Sequence, residues 1–568
     1  MRADISVHSR TLSSRTAVEE AFLLGRAWLR SGGKTIPTAD PNDAGHGVST
    51  IREVAQEASD ILRNDVVMKD RNPVVRDQLM VELELFCRVD PEVTESGLAR
   101  LKAGLDVLQV SSVADGWQTL AALVEHSPHR LLDIEVALGA TIADLRARGY
   151  SDDGLHQHFL ALQDTVQSLY ELASRLDGRL HEYQCYVAAD TSGAEDADLR
   201  AGGMTPVVKL PFEPEGRPIP RGPFLGVAVR AVEASDAARA GLRRVDALLG
   251  AAAVFLPSLL EVRSRVVVVD GRSERIAIDV NENLLIKEKR GITKGQVARV
   301  LGAMNQSERG SVSDPVLDAI RYHRKAMAAV DNESRFMYLW LGIERLLLGA
   351  RDHGRILSAA RELVPKAVTI GKLRGELGAF CVAADTVELP GDNRAALNEM
   401  AGLGPDTNKL NREAVLSFML ASEERSREFT ATFYDHDPRL TQWYFRMRKR
   451  LGNGNPASLG PKLAEYLSET TQRMEWHMLR LYRTRNQIAH VGRSAVWIRD
   501  LVRHAHYYLT QLVAIVVAHR ERDAAVSPVQ VITNRVGQMD LYLAMLAKNE
   551  PRATTPKALL RPTSLFSP

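Results

Sequence analysis

The chain has 568 residues, 45% of them hydrophobic and 25% charged, with a formal net charge of +2. That length exceeds what one hydrophobic core serves, and that composition is the ordinary one of folded globular proteins. A near-neutral total excludes a globally basic nucleic-acid binder, so any basic patch must be local. The three cysteines, Cys87, Cys185 and Cys381, form no CxxC pair, which argues against a zinc ribbon or a disulfide framework and suits a reducing compartment. The N-terminal "MRADISVHSRTLSSR" lacks an apolar signal core, and no apolar run reaches the roughly 18 residues needed to span a bilayer. We therefore expect a cytoplasmic protein with no membrane partner.

In chain order, residues 1–185 read as helix after helix. "TAVEEAFLLGRAWLRS", "TIREVAQEASDILRN", "VVRDQLMVELELF" and "LHQHFLALQDTVQSLYELASRL" repeat apolar residues at i, i+3, i+4 and i+7. Residues 186–222 lose that period, gain Gly, Pro and acid, and read as a linker. A small α/β unit is expected over 223–310. "FLGVAVRAV" reads as a strand, "ASDAARAGLRRVDALLGAAAVF" as a helix capped by Ser235 or Asp236, and "RSRVVVVDGRSERIAID" as a hairpin turning at Asp270-Gly271. Residues 311–545 read as helices again, and the Pro- and Thr-rich residues 546–568 as a flexible tail. The fold class is thus mostly α, with a helical N-terminal domain, a small α/β middle unit and a C-terminal helical bundle.

Several short motifs tempt and fail. "GGKT" (Gly32–Thr35) has Trp28 where a phosphate-binding loop requires Gly, and it follows a helix rather than a strand. "YDHDP" (Tyr434–Pro438) reads as a turn, "HQH" (His156–His158) as a diverging pair, and "VEHSPH" (Val124–His129) as a loop and helix cap. No cofactor or metal site emerges from them.

The stretch "LYRTRNQIAHVGR" (Leu481–Arg493) is more informative. On a helix, Met474, Met478, Leu481, Tyr482, Ile488 and Ala489 share one side, and Arg485 lies at its centre. A guanidinium on an apolar side is costly unless it is paired or lines a cleft. A structural salt bridge satisfies that condition, and so does a functional site. Arg480, Arg483, Gln487 and His490 form a second, polar stripe. In "ESRFMYLWLGIERLLLG" (Glu333–Gly349), Phe336, Leu339, Trp340, Ile343, Leu346 and Leu347 share a side that Glu344 flanks, which makes Glu344 the candidate partner of Arg485.

"RNQIAH" (Arg485–His490) resembles the Arg-x4–6-His signature of the HEPN superfamily, and "LYRTRNQIAHVG" resembles its form in the ApeA-like branch. "RFMYLWLGIERLL" resembles the helix that opens that domain, and "DAIRYHRKAM" before it fits as well. The resemblance covers residues 311–545. It implies a HEPN-type helical bundle and a metal-independent endoribonuclease working as a homodimer or higher oligomer, of the kind found among bacterial toxins and antiphage (abortive-infection) effectors. Arg485 and His490 would be the catalytic pair and Asn486 their support. Other members of the superfamily are inactive interaction or dimerisation modules. A nucleotide-binding regulator with its site in the α/β unit is a third reading.

The chemistry is coherent in its own terms. A neutral His accepts the proton of an RNA 2′-hydroxyl and a protonated one donates to the leaving oxygen, while Arg offsets phosphate charge. Arg485 and His490 lie about 140° apart on an ideal helix. One motif therefore struggles to aim both groups at one phosphate, unless two chains share the site or the helix breaks before Gly492. Between Arg439 and Arg493 there are eleven Lys or Arg against three Glu. Arg446, Arg448, Lys449, Arg480, Arg483 and Arg493 are the candidate RNA contacts. A phage-derived or nucleotide trigger is the expected further partner; no cofactor is expected.

Overall fold

The computed structural model describes residues 14–30, 46–88, 93–127, 130–150, 154–155, 158–159, 166–176, 180–190, 199–200, 203–210, 212–216, 218–219, 222–253, 261–271, 275–280, 314–329, 331–350, 356–387, 410–434, 438–491, 498–520 and 526–566. "GGKT", residues 281–310 of the expected middle unit, Arg493 and parts of "YDHDP", "HQH" and "VEHSPH" lie outside these residues, as does the side chain of His490. Helices dominate, with one small sheet. Contacts divide the chain into two compact units, Arg10–Lys287 and Glu288–Pro568.

In the first unit, helices α1 (Ser14–Arg30), α2 (His46–Asn64), α3 (Val66–Arg71), α4 (Pro73–Phe86), α5 (Glu95–His126), α6 (Leu131–Ala147) and α7 (Val166–Arg175) precede the sheet. The 32-residue α5 organises them: its N-cap Thr94 accepts from Gly97 N, and Trp117, Leu120 and Leu123 pack against Ala137, Leu145 and Leu172. Gly116 allows α5 and α6 to touch, because a Cβ there would collide with Thr141.

Strands β1 (His181–Asp190), β2 (Thr205–Val207), β3 (Glu215–Gly216) and β4 (Phe224–Ala231), helix α8 (Ala234–Ala253), and strands β5 (Glu261–Asp270) and β6 (Arg275–Asp279) complete the unit. The sheet order is β2-β4-β1-β5-β6-β3, antiparallel except where β3 meets β6. Alternation of side chains explains its faces. Cys185, Val187, Val227, Val267 and Val269 pack under Ala237, Leu242 and Val245 of α8, whereas Ala188, Phe224, Val268 and Ala277 face the other way. The hairpin pairs Asp270 with Arg275 as the β-rich runs imply.

Three sequence expectations fail in this unit. The expected linker 186–222 carries the end of β1 and all of β2 and β3, because short strands need few residues and tolerate flanking Gly and Pro. The helical and α/β segments are also not separate: Val232, next to β4, is buried with Trp117 and Tyr150 of the helical part. Nor do Ser235 or Asp236 cap α8, which begins at Ala234 and so contains both.

The second unit is helical among its described residues. It holds α9 (Pro315–Ala328), α10 (Asn332–Leu347), α11 (Ile356–Thr369), α12 (Lys372–Asp385), α13 (Arg412–Leu420), α14 (Glu423–Tyr434), α15 (Pro438–Arg450), α16 (Pro456–Val491), α17 (Ile498–Arg520), α18 (Pro528–Ala547) and α19 (Pro556–Leu560). Asp314 and Asp331 cap α9 and α10 through bonds from Val316 N and Ser334 N. Helix α10 packs on α9 and α17, with Gly342 admitting Leu509, and α11 packs on α16 and α18. A large core gathers Leu377, Phe380, Phe418, Phe429, Tyr444, Leu463, Leu467 and Tyr542.

The expected flexible tail is part of this core. Ala553, Leu559 and Leu560 are buried in it, and Thr555 caps α19. The carboxamide of Asn549 accepts from Gly460 N at 3.0 Å and donates to the Pro456 carbonyl at 2.9 Å, fastening the end of α18 to the start of α16. Proline and threonine here cap a short helix instead of loosening the chain.

Candidate functional site

The site is built on two helices, α10 and α16. Phe336, Leu339, Trp340, Ile343, Leu346 and Leu347 are all buried, as their shared stripe requires. Helix α16 approaches this surface, and the Trp340 and Tyr482 rings lie 6.0 Å apart at 60°. The apolar stripe of α16 changes character along its length. Met474, Met478 and Leu481 are buried, Tyr482 and Ile488 are half-buried, and Ala489 is exposed. The stripe therefore emerges into solvent over the last two turns, where the motif lies.

Arg485 sits at this emergence. Its Nε lies 3.8 Å from Glu344 Oε1, with the two side chains 29% and 21% exposed. Its Nη1 donates to Asn486 Oδ1 at 3.0 Å. Glu344 is fixed from behind, because the indole Nε1–H of fully buried Trp340 donates to the same Oε1. At 3.8 Å the Arg485–Glu344 contact is a loose ion pair and not a hydrogen bond, and the buried Nε makes no hydrogen bond of its own. The guanidinium is thus held in direction but keeps unspent donor capacity.

Helix α16 runs unbroken through position 490 to Val491. Positions 485 and 490 therefore remain about 140° apart around the axis, and a helical break is not what brings them together.

The expected basic surface is partly dismantled. Arg448 is buried and donates to the carbonyls of Phe418 and Met419 at 3.3 and 2.7 Å, so it satisfies the end of α13 rather than meeting RNA. Arg480 is 3% exposed and is likewise removed from the contact surface. Lys449 is exposed, and Arg446 and Arg483 are half-buried. Residue type alone does not distinguish a capping arginine from a solvent-facing one.

Sequence reasoning missed two buried polar groups along α16. The rings of His477 and His504 stack at 4.3 Å and 11°, and His477 Nδ1 hydrogen-bonds Tyr508 Oη at 2.9 Å. Burial is the main cause that drives both imidazoles far below their ordinary range, His504 to about 3, and nearby Arg480 adds to it. Further back, Glu376 accepts from Tyr466 Oη at 2.7 Å and Arg450 Nη1 at 3.1 Å, with Lys372 Nζ at 3.5 Å. Burial lowers Lys372 to about 8 despite Glu376 beside it. The i, i+4 spacing of Lys372 and Glu376 was a readable signal, but their partners lie far away in sequence.

Among the described residues no group of three or more His, Cys, Asp or Glu is placed to hold a metal ion, and no helix is long and apolar enough to cross a membrane. Comparison with protein-family models, with curated proteins and with solved structures yields no match.

Proposed function

We propose that this chain is a HEPN-type, metal-independent endoribonuclease whose active site forms between two copies of the chain, acting in the cytoplasm in antiphage defence or as a toxin. The observation that carries the reading is the position of Arg485. It stands at the point where an apolar stripe leaves the core, oriented by Glu344 and Asn486, within the sequence "RNQIAH" that resembles the HEPN signature. A second α16 laid against half-buried Ile488 and exposed Ala489 would cover that stripe and bring a second motif opposite the first. The unbroken helix favours this two-chain arrangement over a site within one motif.

In such a site the RNA 2′-hydroxyl attacks the adjacent phosphorus as one His490 removes its proton. The His490 of the second copy protonates the departing 5′-oxygen. Arg485 binds the phosphoryl oxygens as charge builds on them, with Asn486 steadying it. The products are a 2′,3′-cyclic phosphate and a 5′-hydroxyl. Lys449, Arg446 and Arg483 are the remaining candidates for the RNA track.

One observation favours a second reading, a non-catalytic dimerisation module. Glu344 pairs with Arg485 inside a single chain, as a structural arginine requires. One experiment separates the two. Purified protein is incubated with single-stranded RNA in the presence of a chelator, as wild type, Arg485→Ala and His490→Ala. The endoribonuclease reading expects 5′-hydroxyl fragments from wild type alone, with both variants folded. Full activity in a folded His490→Ala protein ends it.

A further inference from the structure

Several arginines of the second unit are matched to acids. Arg427 pairs with Glu423, Arg473 with Glu469, Arg552 with Glu550, Arg450 with Glu376 and Arg520 with Asp314. Arg448 and Arg535 instead donate to backbone carbonyls, and Arg374 on α12, Arg412 at the first position of α13 and Arg561 just after α19 are exposed and form no ion pair with a carboxylate among the described residues. The three helices that carry them pack on one another.

The geometry brings these groups together. Arg374 and Gly378 are four residues apart on α12 and so share a face. The Arg412 guanidinium lies flat on that face. A Cβ added to Gly378 would stand 2.5 Å from its Nη2 and 2.6 Å from its Nε. Both Arg412 and Arg561 press their charge on Arg374 and, with partial burial as the largest cause, hold it below the usual guanidinium range. Three cations from neighbouring elements, with a glycine making room for one of them, amount to a mutually repelling arrangement. Solvent screens part of that repulsion at exposed groups, and a bound anion would remove the rest.

We propose that Arg374, Arg412 and Arg561 form a binding site for a terminal polyphosphate group, separate from the Arg485 motif. Guanidinium forks bind phosphate oxygens in pairs, and three of them match a ligand carrying several negative charges better than an internal phosphodiester, which carries one. The site lies at the other end of the unit's long helix. Glu376, two residues beyond Arg374, bonds Tyr466, which precedes Arg485 by 19 residues, about 28 Å along α16. A free nucleoside triphosphate and an RNA bearing a 5′-triphosphate present the same chemistry.

The test is calorimetric titration of the full chain with inorganic tripolyphosphate at physiological salt. Saturable binding at one site per chain is expected, weakened by about tenfold or more in each of Arg374→Ala, Arg412→Ala and Arg561→Ala. Gly378→Ala keeps every charge but displaces the flexible end of Arg412, and it is expected to weaken binding with an unchanged melting temperature. Arg473→Ala, which removes an exposed but acid-paired arginine, and Arg485→Ala are expected to leave the affinity alone. The last variant keeps this site distinguishable from the endoribonuclease reading. Absence of saturable binding, or equal losses in Arg412→Ala and Arg473→Ala, overturns the proposal. A 5′-hydroxyl oligoribonucleotide that displaces tripolyphosphate at comparable phosphate concentration overturns the assignment to a terminal group. Displacement by adenosine triphosphate, by 5′-triphosphate RNA or by both supports it and identifies the source.

Discussion

Two arginine–glutamate pairs lie along helix α16, and they contrast at every point. Near its start, Arg450 bonds Glu376 at 3.1 Å, stacks over the Tyr466 ring at 4.3 Å, and shares the carboxylate with Tyr466 and Lys372. Near its end, Arg485 stands 3.8 Å from a Glu344 already engaged by Trp340, and both partners remain partly exposed. The first carboxylate is 7% exposed and satisfied from several sides, which is what burying charge demands. The second pair leaves guanidinium donors unspent. The same two residue types thus build a brace at one end and the proposed site at the other, and hydrogen-bond saturation is what separates them.

The largest way to break this comparison is at the brace. Glu376→Ala removes the buried carboxylate that Tyr466, half-buried Arg450 and buried Lys372 share and should lower unfolding free energy by roughly 3–5 kcal/mol, read by denaturant unfolding. A loss comparable to that of an exposed pair would mean that the two ends of α16 do not differ as described.

Acidification gives the next effect, from the histidine pair between the two ends. The folded-state pKa of His504, about 3, and that of His477 lie below the unfolded value of 6.5. Each imidazole is then neutral in the folded state and protonated in the unfolded one between those values. The unfolded state binds more protons there, so stability present above pH 6.5 falls as pH drops towards 3. The loss from pH 6.5 to 5 should be on the order of 2 kcal/mol for His504, and the lowered His477 adds to it in the same direction. Urea titrations across that range should show a shallower decline in His504→Phe, and an unchanged slope would contradict the buried, neutral pair.

Smaller still is the clasp at the start of α16. Asn549→Ala removes two hydrogen bonds at a residue with φ of 51° and should cost about 1–2 kcal/mol in thermal unfolding. The smallest stability effect belongs to the end that carries Arg485. A loose, partly exposed pair contributes under about 1 kcal/mol, so Arg485→Ala should melt close to wild type while losing RNA cleavage. A severe drop in melting temperature instead would make Arg485 a brace like Arg450.

The periodicity of the sequence pointed to the helical stretches of both units, to α8 and to the β5–β6 hairpin, because each buries one regular stripe. It also led to Glu344 as the partner of Arg485, since both flank apolar stripes that need each other. It misread the strands within 186–222 and the helix at 556–560, where composition suggested loops and burial decided otherwise. It also placed Arg448 and Arg480 on an RNA surface. A local pattern counts charges but does not reveal which carbonyls, thirty residues away, require a donor. The His477–His504 stack and the triple arginine cluster are invisible for the same reason, being contacts between helices distant in the chain.

The burial of Ala553, Leu559 and Leu560 among Phe380, Leu416 and Tyr466 bears on how this core is made in time. A ribosome delivers the first part of that core well over a hundred residues before the last. Until residues 553–560 leave the exit tunnel, the parts of α12 and α13 that they cover stay exposed and this core is unfinished.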